Sequence, residues 1–189
     1  MKELEERIIR EGKVCAGDVL KVDGFLNHQM DPQLFRAMAG AWRRLFPEEV
    51  TKILTIEASG IGLAAIAGEE FGCPVLFAKK SRTRNIAGSV YTAGVESYTH
   101  GGVYTILCAK EYLLPTDKVL ILDDFLANGN ALLGLLDLCR QAGAQVVGAG
   151  VAVEKTYQPG GERVRAQGVR VESLAKIRAM SPDEGAKFC

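Results

Sequence analysis

The sequence lacks the features that mark secreted, membrane-spanning and zinc-binding proteins. Its five cysteines are an odd number and include no Cys-x-x-Cys pair, so neither a disulfide framework nor a zinc site is indicated. The first ten residues are charged and carry no apolar core of the signal-peptide type. The apolar run at 146–153 is far too short to cross a bilayer. We therefore expect a cytoplasmic protein that has no membrane contact.

An excess of charge of either sign is also missing. The 23 basic and 23 acidic residues give a formal net charge of zero, which disfavours a nucleic-acid-binding surface spread over the whole molecule. The P-loop pattern Gly-x-x-x-x-Gly-Lys-Ser/Thr does not occur either. What is present is a chain of 189 residues with 48% hydrophobic content and 21 glycines. This composition fits one compact α/β domain that spans residues 1–189.

The order of the apolar segments predicts an α/β fold with a doubly wound, mainly parallel sheet, because strands alternate with helices. Strands are expected at 52–57, 75–79, 119–122, 145–153 and 169–173. Helices are expected at 2–11, 32–46, 61–71, 130–142 and 160–167.

Three segments interrupt this alternation. Residues 90–98 and 103–109 have the pattern of antiparallel partners, and we interpret them as part of a mobile hairpin hood that covers 80–109. Residues 14–31 have no clear period, and the tail at 181–189 carries no expected element.

The most informative segment is 119–131, where an apolar strand leads into two carboxylates and a loop of small residues. Asp123 and Asp124 are expected at the carboxyl end of the strand, where open α/β sheets bind ligands. Carboxylates there can hold sugar hydroxyls or a ligand that carries Mg²⁺, and the amides at 128–131 suit a phosphate. Together these groups describe a ribose phosphate site. Taken alone, the aspartates also fit a solvated turn, and Asn128 also fits a simple helix N-cap.

A second strand–turn–helix junction with glycines lies at 57–62, and its backbone N–H groups suit a second phosphate or a pyrophosphate. The spacing Gly60-x-Gly62-x-x-Ala65 also satisfies the dinucleotide-binding fingerprint. However, the next expected strand ends in Lys79 and Lys80 rather than in an acidic residue. A nicotinamide-dependent enzyme therefore remains a minor alternative.

A third site for chemistry is Lys155, which follows the fourth expected strand of the sheet. Such a lysine is commonly a solvated side chain, but it can also donate to an exocyclic oxygen of a bound base. The basic run at 79–84 has the same two interpretations, a solvated run or an attractor for a polyanionic substrate.

Four motifs carry a resemblance to a known family. They are Leu-Lys-Val-Asp-Gly-Phe-Leu-Asn-His-Gln at 20–29, Thr-Ile-Glu-Ala-Ser-Gly-Ile at 55–61, Asp-Asp-Phe-Leu-Ala-Asn-Gly at 123–129 and Glu-Lys-Thr-Tyr-Gln-Pro-Gly at 154–160. Together they resemble the bacterial xanthine phosphoribosyltransferases, a branch of the type I phosphoribosyltransferases. The resemblance implies transfer of ribose 5-phosphate from phosphoribosyl diphosphate to N9 of xanthine, which releases pyrophosphate. It also implies Mg²⁺ as cofactor, a homodimer, and residues 14–31 as the segment that covers the purine.

The same resemblance implies a role for individual residues. Asp123 and Asp124 would be the catalytic pair that holds the ribose hydroxyls, directly or through Mg²⁺. The purine-binding residues would be Leu20, Asn27 and Lys155. The other two implied sets are the phosphate-binding residues Ala127, Asn128, Gly129, Asn130 and Ala131, and the pyrophosphate loop Glu57, Ala58, Ser59 and Gly60.

Two positions depart from the family pattern. Type I enzymes usually carry Ser or Thr in the phosphate loop, where this chain has Asn128 and Ala131. Oxopurine relatives place an aspartate, the candidate base for the purine proton, where this chain has Ala127. A guanine- or hypoxanthine-preferring enzyme is therefore an open alternative. A regulator that binds phosphoribosyl diphosphate and contacts nucleic acid is another, against which the zero net charge weighs.

Overall fold

The computed structural model describes residues 1–81, 88–97 and 102–189. Its helices are α1 (Lys2–Glu11), α2 (Pro32–Leu45), α3 (Ser59–Phe71), α4 (Asn130–Ala142) and α5 (Gly160–Arg165). Its strands are β1 (Lys13–Cys15), β2 (Val19–Lys21), β3 (Lys52–Ile56), β4 (Val75–Ala78), β5 (Val90–Ser97), β6 (Gly102–Ala109), β7 (Lys118–Leu126), β8 (Gln145–Lys155), β9 (Val171–Ser181) and β10 (Gly185–Phe188). A π-helical turn covers Asp23–Asn27, and a 3-10 turn covers Lys110–Tyr112.

A six-stranded sheet in the order β10-β9-β8-β7-β3-β4 organises the molecule. Its strands pair in parallel except for β10, which pairs antiparallel with β9. The expected doubly wound, mainly parallel sheet is thereby confirmed. Because α3 follows β3 and α4 follows β7, the N-termini of both helices lie at the carboxyl edge of the sheet.

Strand β7 shows why its sequence is an unbroken apolar run. Leu120 and Leu122 belong to one buried cluster, whereas Val119 and Ile121 belong to the other. Successive strand residues point to opposite faces, so both faces of β7 are covered, as expected for the centre of a parallel sheet. The first cluster includes α1, α2 and α3, and the second includes α4 and the β5–β6 hairpin.

The segment at 14–31 is more ordered than its sequence pattern indicates. Strands β1 and β2 form a short antiparallel hairpin in which Val14 pairs with Leu20. The π-helical turn follows and buries Phe25 and Leu26 in the first core cluster. Helix α2 then begins at Pro32, where the Asp31 carboxylate accepts hydrogen bonds from two backbone N–H groups of the first turn.

The tail at 181–189 carries an edge strand for which the sequence pattern gives no indication. Strand β9 continues to Ser181, and β10 returns beside it as the sheet's edge strand, so that Ala186 pairs with Met180. All four residues of β10 are only partly buried. Such a strand lacks the continuous apolar pattern of a central one, which is the physical reason why the sequence does not reveal it.

The β5–β6 hairpin packs against α4 through its described residues. A side chain at Gly134 of α4 would collide with Val95 and Ile106, so this glycine lets the hairpin approach the helix closely. Residues 82–87 and 98–101 of the expected hood lie outside the described residues, and its mobility stays a prediction. In the part of the chain that the structure describes, no helix is long and apolar enough to span a membrane.

Candidate active site

Asp123 and Asp124 lie inside β7 rather than after its end, because the strand continues to Leu126 instead of ending at residue 122. Both side chains are buried, at 4% and 8% relative exposure. Burial, reinforced by the negative charge of neighbouring Asp124, raises the pKa of Asp123 well above its ordinary value. Two adjacent carboxylates that are shielded from solvent destabilise the fold unless a cation or hydrogen-bond donors compensate their charge.

Two further groups lie near Asp123, namely Tyr104 of β6 and Lys80, which follows β4. Burial and the Asp123 charge both raise the pKa of the Tyr104 hydroxyl, and the Lys80 charge acts in the opposite direction on Asp123. The Lys80 ammonium also lies 5.4 Å from the centre of the Tyr104 ring. The hairpin therefore supplies an aromatic ring, and the segment after β4 supplies a cation, near the carboxylate pair.

The loop at 57–60 packs directly onto this pair. A side chain at Gly60 would come within 3.4 Å of the Asp123 Oδ1 atom and would collide with the Thr55 hydroxyl. Glycine is required there because the loop crosses so close to the strand. Helix α3 begins at Ser59, two residues earlier than expected, so Ser59 and Gly60 form its first turn. Their backbone N–H groups lie where an intrahelical partner is missing.

Glu57 fixes the other end of this loop. Its carboxylate accepts a hydrogen bond from the Lys80 backbone N–H, and its own N–H donates to the Ala78 carbonyl at 3.0 Å. The peptide bond between Glu57 and Ala58 is cis. Lys80 is thus tied to the loop through its backbone.

The loop at 127–131 opens α4 as expected. Gly129, not Asn128, is the N-cap residue, and it has the positive φ of 80° that glycine adopts at low cost. A side chain at Gly129 would lie 3.0 Å from the Gly160 Cα atom, and the Gly160 N–H donates to the Ala127 carbonyl at 2.9 Å. The loop is therefore in backbone contact with the start of α5.

Arg163 of α5 is a cation at this loop that sequence patterns did not reveal. Its guanidinium donates to the Asn128 carbonyl at 2.6 Å and to the Asn130 side-chain oxygen at 2.8 Å. The Asn130 side-chain amide donates in turn to the Glu96 carbonyl of β5 at 3.1 Å. Asn130 thereby joins the 127–131 loop to the hairpin and to α5.

Lys155 is the last residue of β8 and is 8% exposed. Its ammonium donates to the Asp18 carbonyl at 2.5 Å and lies 3.5 Å from the Asp18 carboxylate. Asp18 belongs to the turn between β1 and β2. The lysine is therefore not a solvated side chain, and it connects the third site to the segment at 14–31.

The other two expected purine-binding residues lie on that same segment. Leu20 is 7% exposed and part of the first core cluster, while Asn27 is half-buried at the end of the π-helical turn. Met30 packs against Gly62 of α3, where any residue with a side chain would collide with the Met30 thioether. The segment thus reaches from Lys155 to the helix that follows the 57–60 loop.

No group of three metal-ligating side chains occurs within 1–81, 88–97 and 102–189. Asp123 and Asp124 nevertheless fit a divalent cation that is bound chiefly through its ligand. Their shared burial and the raised pKa of Asp123 show a local deficit of positive charge, and Mg²⁺ prefers carboxylate oxygens while keeping other ligands.

The structure brings the three sequence-predicted sites together. The 57–60 loop contacts Asp123, the 127–131 loop contacts Gly160, and Lys155 ends the strand next to β7. The sequence patterns did not reveal four residues that contact the candidate site, namely Asp18, Thr55, Tyr104 and Arg163. Their contacts depend on tertiary structure, and the sequence carries no local signal for them.

Comparison with known proteins agrees with this geometry. A family model described as "Phosphoribosyl transferase domain" matches residues 24–175. An adenine phosphoribosyltransferase structure from Giardia lamblia superposes with a TM-score of 0.79 at 22% identity, covering 93% of this chain and 98% of that one. The enzyme from Rhodothermus marinus gives 0.75 at 22% identity, covering 94% and 100%. The fold and the carboxyl-edge site together define a phosphoribosyltransferase.

Two sequence relatives specify the branch. The xanthine phosphoribosyltransferase of Bifidobacterium longum (strain NCC 2705) is 54% identical over 187 residues, which cover 98% of this chain and 97% of the relative. That of Lachnoclostridium phytofermentans is 50% identical over 186 residues, with coverages of 98% and 96%. The chain belongs to the xanthine phosphoribosyltransferase family. This membership confirms the resemblance and displaces the nicotinamide alternative.

Proposed function

We propose that this protein transfers ribose 5-phosphate from phosphoribosyl diphosphate to N9 of xanthine and forms xanthosine 5′-monophosphate and pyrophosphate. The observation that carries the proposal is the buried pair Asp123 and Asp124, which lies between two helix N-termini at the carboxyl edge of the sheet. Carboxylates between two anion-binding loops match a ribose with a phosphate at one end and a diphosphate at the other.

In this proposal each loop binds one end of the ribose. The amides of residues 127–131, supported from behind by Arg163, cradle the 5′-phosphate. The 57–60 loop receives the pyrophosphate, with Lys80 beside it. Departure of pyrophosphate from C1 needs stabilisation of developing negative charge more than it needs a nucleophile, and preorganised amides and cations supply that stabilisation.

Asp123 and Asp124 orient the ribose through its two hydroxyls and hold the Mg²⁺ that accompanies phosphoribosyl diphosphate. Bound Mg²⁺ supplies charge neutralisation for the leaving pyrophosphate. A cation and hydroxyl donors at this place would relieve the unfavourable proximity of the two carboxylates.

Leu20, Asn27 and Lys155 form the purine pocket in this proposal, with the lysine ammonium donating to the 6-oxo group. Ala127 offers no side-chain base, so the acidity of xanthine itself carries more of the proton loss than in relatives with an aspartate. The hood closes over the ribose and excludes water, which would otherwise hydrolyse the activated sugar.

A coupled assay tests the proposal. The protein is incubated with phosphoribosyl diphosphate and Mg²⁺, and xanthine, guanine, hypoxanthine and adenine are offered separately. We expect the highest kcat/KM with xanthine and none above background with adenine, whose amino group would face the Lys155 donor. A higher kcat/KM with guanine or hypoxanthine would favour the second enzyme alternative. A salt-sensitive gel shift without transfer to any purine would favour the regulator.

We also propose a homodimer, as the resemblance implies, and a single folded domain, as the length and composition predict. Light scattering coupled to size-exclusion chromatography measures the mass directly against the 20.4 kDa of one chain. A single cooperative unfolding transition that coincides by two probes is the outcome expected of one domain.

A further inference from the structure

The turn between β1 and β2 carries a carboxylate that gathers three side chains from a distant loop. Asp18 accepts a hydrogen bond from the Tyr157 hydroxyl at 2.6 Å and another from the Gln158 side-chain amide. Its carboxylate lies 3.5 Å from the Lys155 ammonium, and its backbone carbonyl accepts from the same ammonium. We call Asp18 with these three residues the Asp18 clip.

The backbone at Asp18 is unusual and fits this arrangement. Its φ of 63° makes it the one non-glycine residue with positive φ in the described segments. Aspartate tolerates this conformation better than most side chains. The turn thereby directs both the carbonyl and the carboxylate of one residue toward the loop at 155–158.

We propose that Asp18 is a positioning residue for purine recognition, because its carbonyl and carboxylate hold the Lys155 ammonium and its carboxylate also holds the Gln158 amide. The inference rests on the proposed function, and it deepens that function by naming what orients the pocket. An ammonium has three donors, so Lys155 keeps donor capacity beyond its contact with Asp18.

The Gln158 amide extends the argument. A carboxylate can only accept hydrogen bonds, so Asp18 holds the Nε2 atom of Gln158 and turns the Oε1 atom away. That oxygen is buried and has no hydrogen-bond partner among the described residues. The Asp18 carboxylate therefore holds both side chains in fixed orientations. The Lys155 ammonium then offers a donor that fits the oxo group of an oxopurine and opposes the amino group of adenine.

Two variants isolate the carboxylate. Asp18→Gly keeps the positive φ without strain, and Asp18→Asn keeps the size of the side chain while placing a donor against donors. We expect both to raise the KM for xanthine roughly tenfold, equivalent to about 1.4 kcal/mol, with the KM for phosphoribosyl diphosphate and the melting temperature nearly unchanged.

Tyr157→Phe is the matched control. It removes one hydrogen bond to the same carboxylate and leaves Lys155 and Gln158 in place, so its KM for xanthine should stay near that of the unaltered protein. An unchanged KM in both Asp18 variants would overturn the inference. A lower KM would overturn it as well, because Asp18 would then compete with the purine for Lys155.

Hydrogen exchange separates this inference from the proposed function. In the clip, loss of the Asp18 carboxylate should accelerate amide exchange at both 13–22 and 155–160 in the unliganded protein, whatever its substrate. If the unaltered protein transfers to no purine, the proposed function fails, and with it the role of Asp18 in recognition. If it transfers to xanthine while exchange and KM are unaffected in Asp18→Gly, the Asp18 inference alone fails.

Discussion

Two buried carboxylate sites on neighbouring strands contrast sharply in how they are compensated. Glu154 on β8 is 3% exposed at its side chain and receives two hydrogen bonds from Arg165, at 2.8 and 3.0 Å, and another from Ser173. Asp123 on β7 is also buried, but the charge that acts on it most strongly is that of another carboxylate, Asp124. The Glu154 carboxylate is fully compensated by protein groups. For the Asp123 carboxylate, we expect a bound ligand and its cation to supply the missing compensation.

The same contrast appears in the pKa values. Burial alone would raise the pKa of Glu154, but the hydrogen bonds from Arg165 and Ser173 outweigh it, so the pKa is lowered. Burial and the Asp124 charge act together at Asp123, so that pKa is raised. A buried acid with satisfied partners is typical of a structural role, and one with an opposing neighbour is typical of a functional site.

The largest expected effect comes from neutralising one member of the aspartate pair. Asp124→Asn should lower kcat/KM roughly 10²–10³-fold, the usual scale for loss of one preorganised electrostatic group. The thermal stability of the unliganded protein should not fall, because the substitution removes one of two opposing charges. Steady-state kinetics and calorimetry measure the two effects, and an unaltered kcat/KM would contradict the catalytic assignment.

Removal of the Lys155 side chain should have the next largest effect. This buried ammonium contacts Asp18 and keeps further donor capacity, so it is more fully compensated than Asp123 and less so than Glu154. Lys155→Ala should lower kcat/KM for xanthine by the factor that corresponds to a loss of about 1.5–3 kcal/mol in transition-state stabilisation, the scale of a charged hydrogen bond. The kinetics are to be measured with xanthine under saturating phosphoribosyl diphosphate. Unchanged kinetics would sink the assignment of this lysine to the oxo group.

Glu154→Gln is the matched structural case. It weakens the pairing with Arg165 inside the fold, so we expect a loss of about 1.5–2 kcal/mol in the free energy of unfolding. Any loss of kcat/KM should be smaller than that of Asp124→Asn. Urea titration followed by fluorescence of buried Trp42 measures the stability; a more stable variant would show that the buried pair costs more than it contributes.

The pH dependence of stability should separate the two sites by sign, with the smallest effect. The raised pKa of Asp123 gives stability that is present below its unfolded pKa and lost as the pH rises through its folded pKa. The lowered pKa of Glu154 gives stability that is present above its unfolded pKa and lost as the pH falls. Each pKa unit corresponds to about 1.4 kcal/mol.

Unfolding free energies of Asp123→Asn, Glu154→Gln and the unaltered protein from pH 3 to pH 8 test this point. The advantage of the variant should grow as the pH rises, whereas the deficit of Glu154→Gln should shrink as the pH falls. Parallel curves for all three proteins would contradict the contrast between the sites.

The sequence predicts those parts of the molecule that local pattern determines. The apolar run at 119–122, the glycine at 129 and the proline at 32 sufficed to place β7, the start of α4 and the start of α2. The end of β7 was harder, because buried aspartates within a strand look like turn residues until the ligand site is known.

Long-range contacts account for what the sequence did not reveal. Asp18 and Lys155 are 137 positions apart, and no local signal announces that they meet. Strands β1, β2 and β10 are three or four residues long. They are too short for the alternation of apolar and polar residues that marks a strand to be recognised. Their positions follow from the sheet and core that they cover.

The backbone contact between Gly129 and Gly160 has a consequence for engineering the enzyme. Since these two backbones touch and the Gly160 N–H donates to the Ala127 carbonyl, the loop at 127–131, which we propose binds the phosphate, and the loop that follows Lys155 are mechanically coupled. Substitutions in the two loops should therefore be non-additive. A library that redesigns base preference at 155–160 should vary 127–131 at the same time, because changes selected separately in either loop will seldom combine.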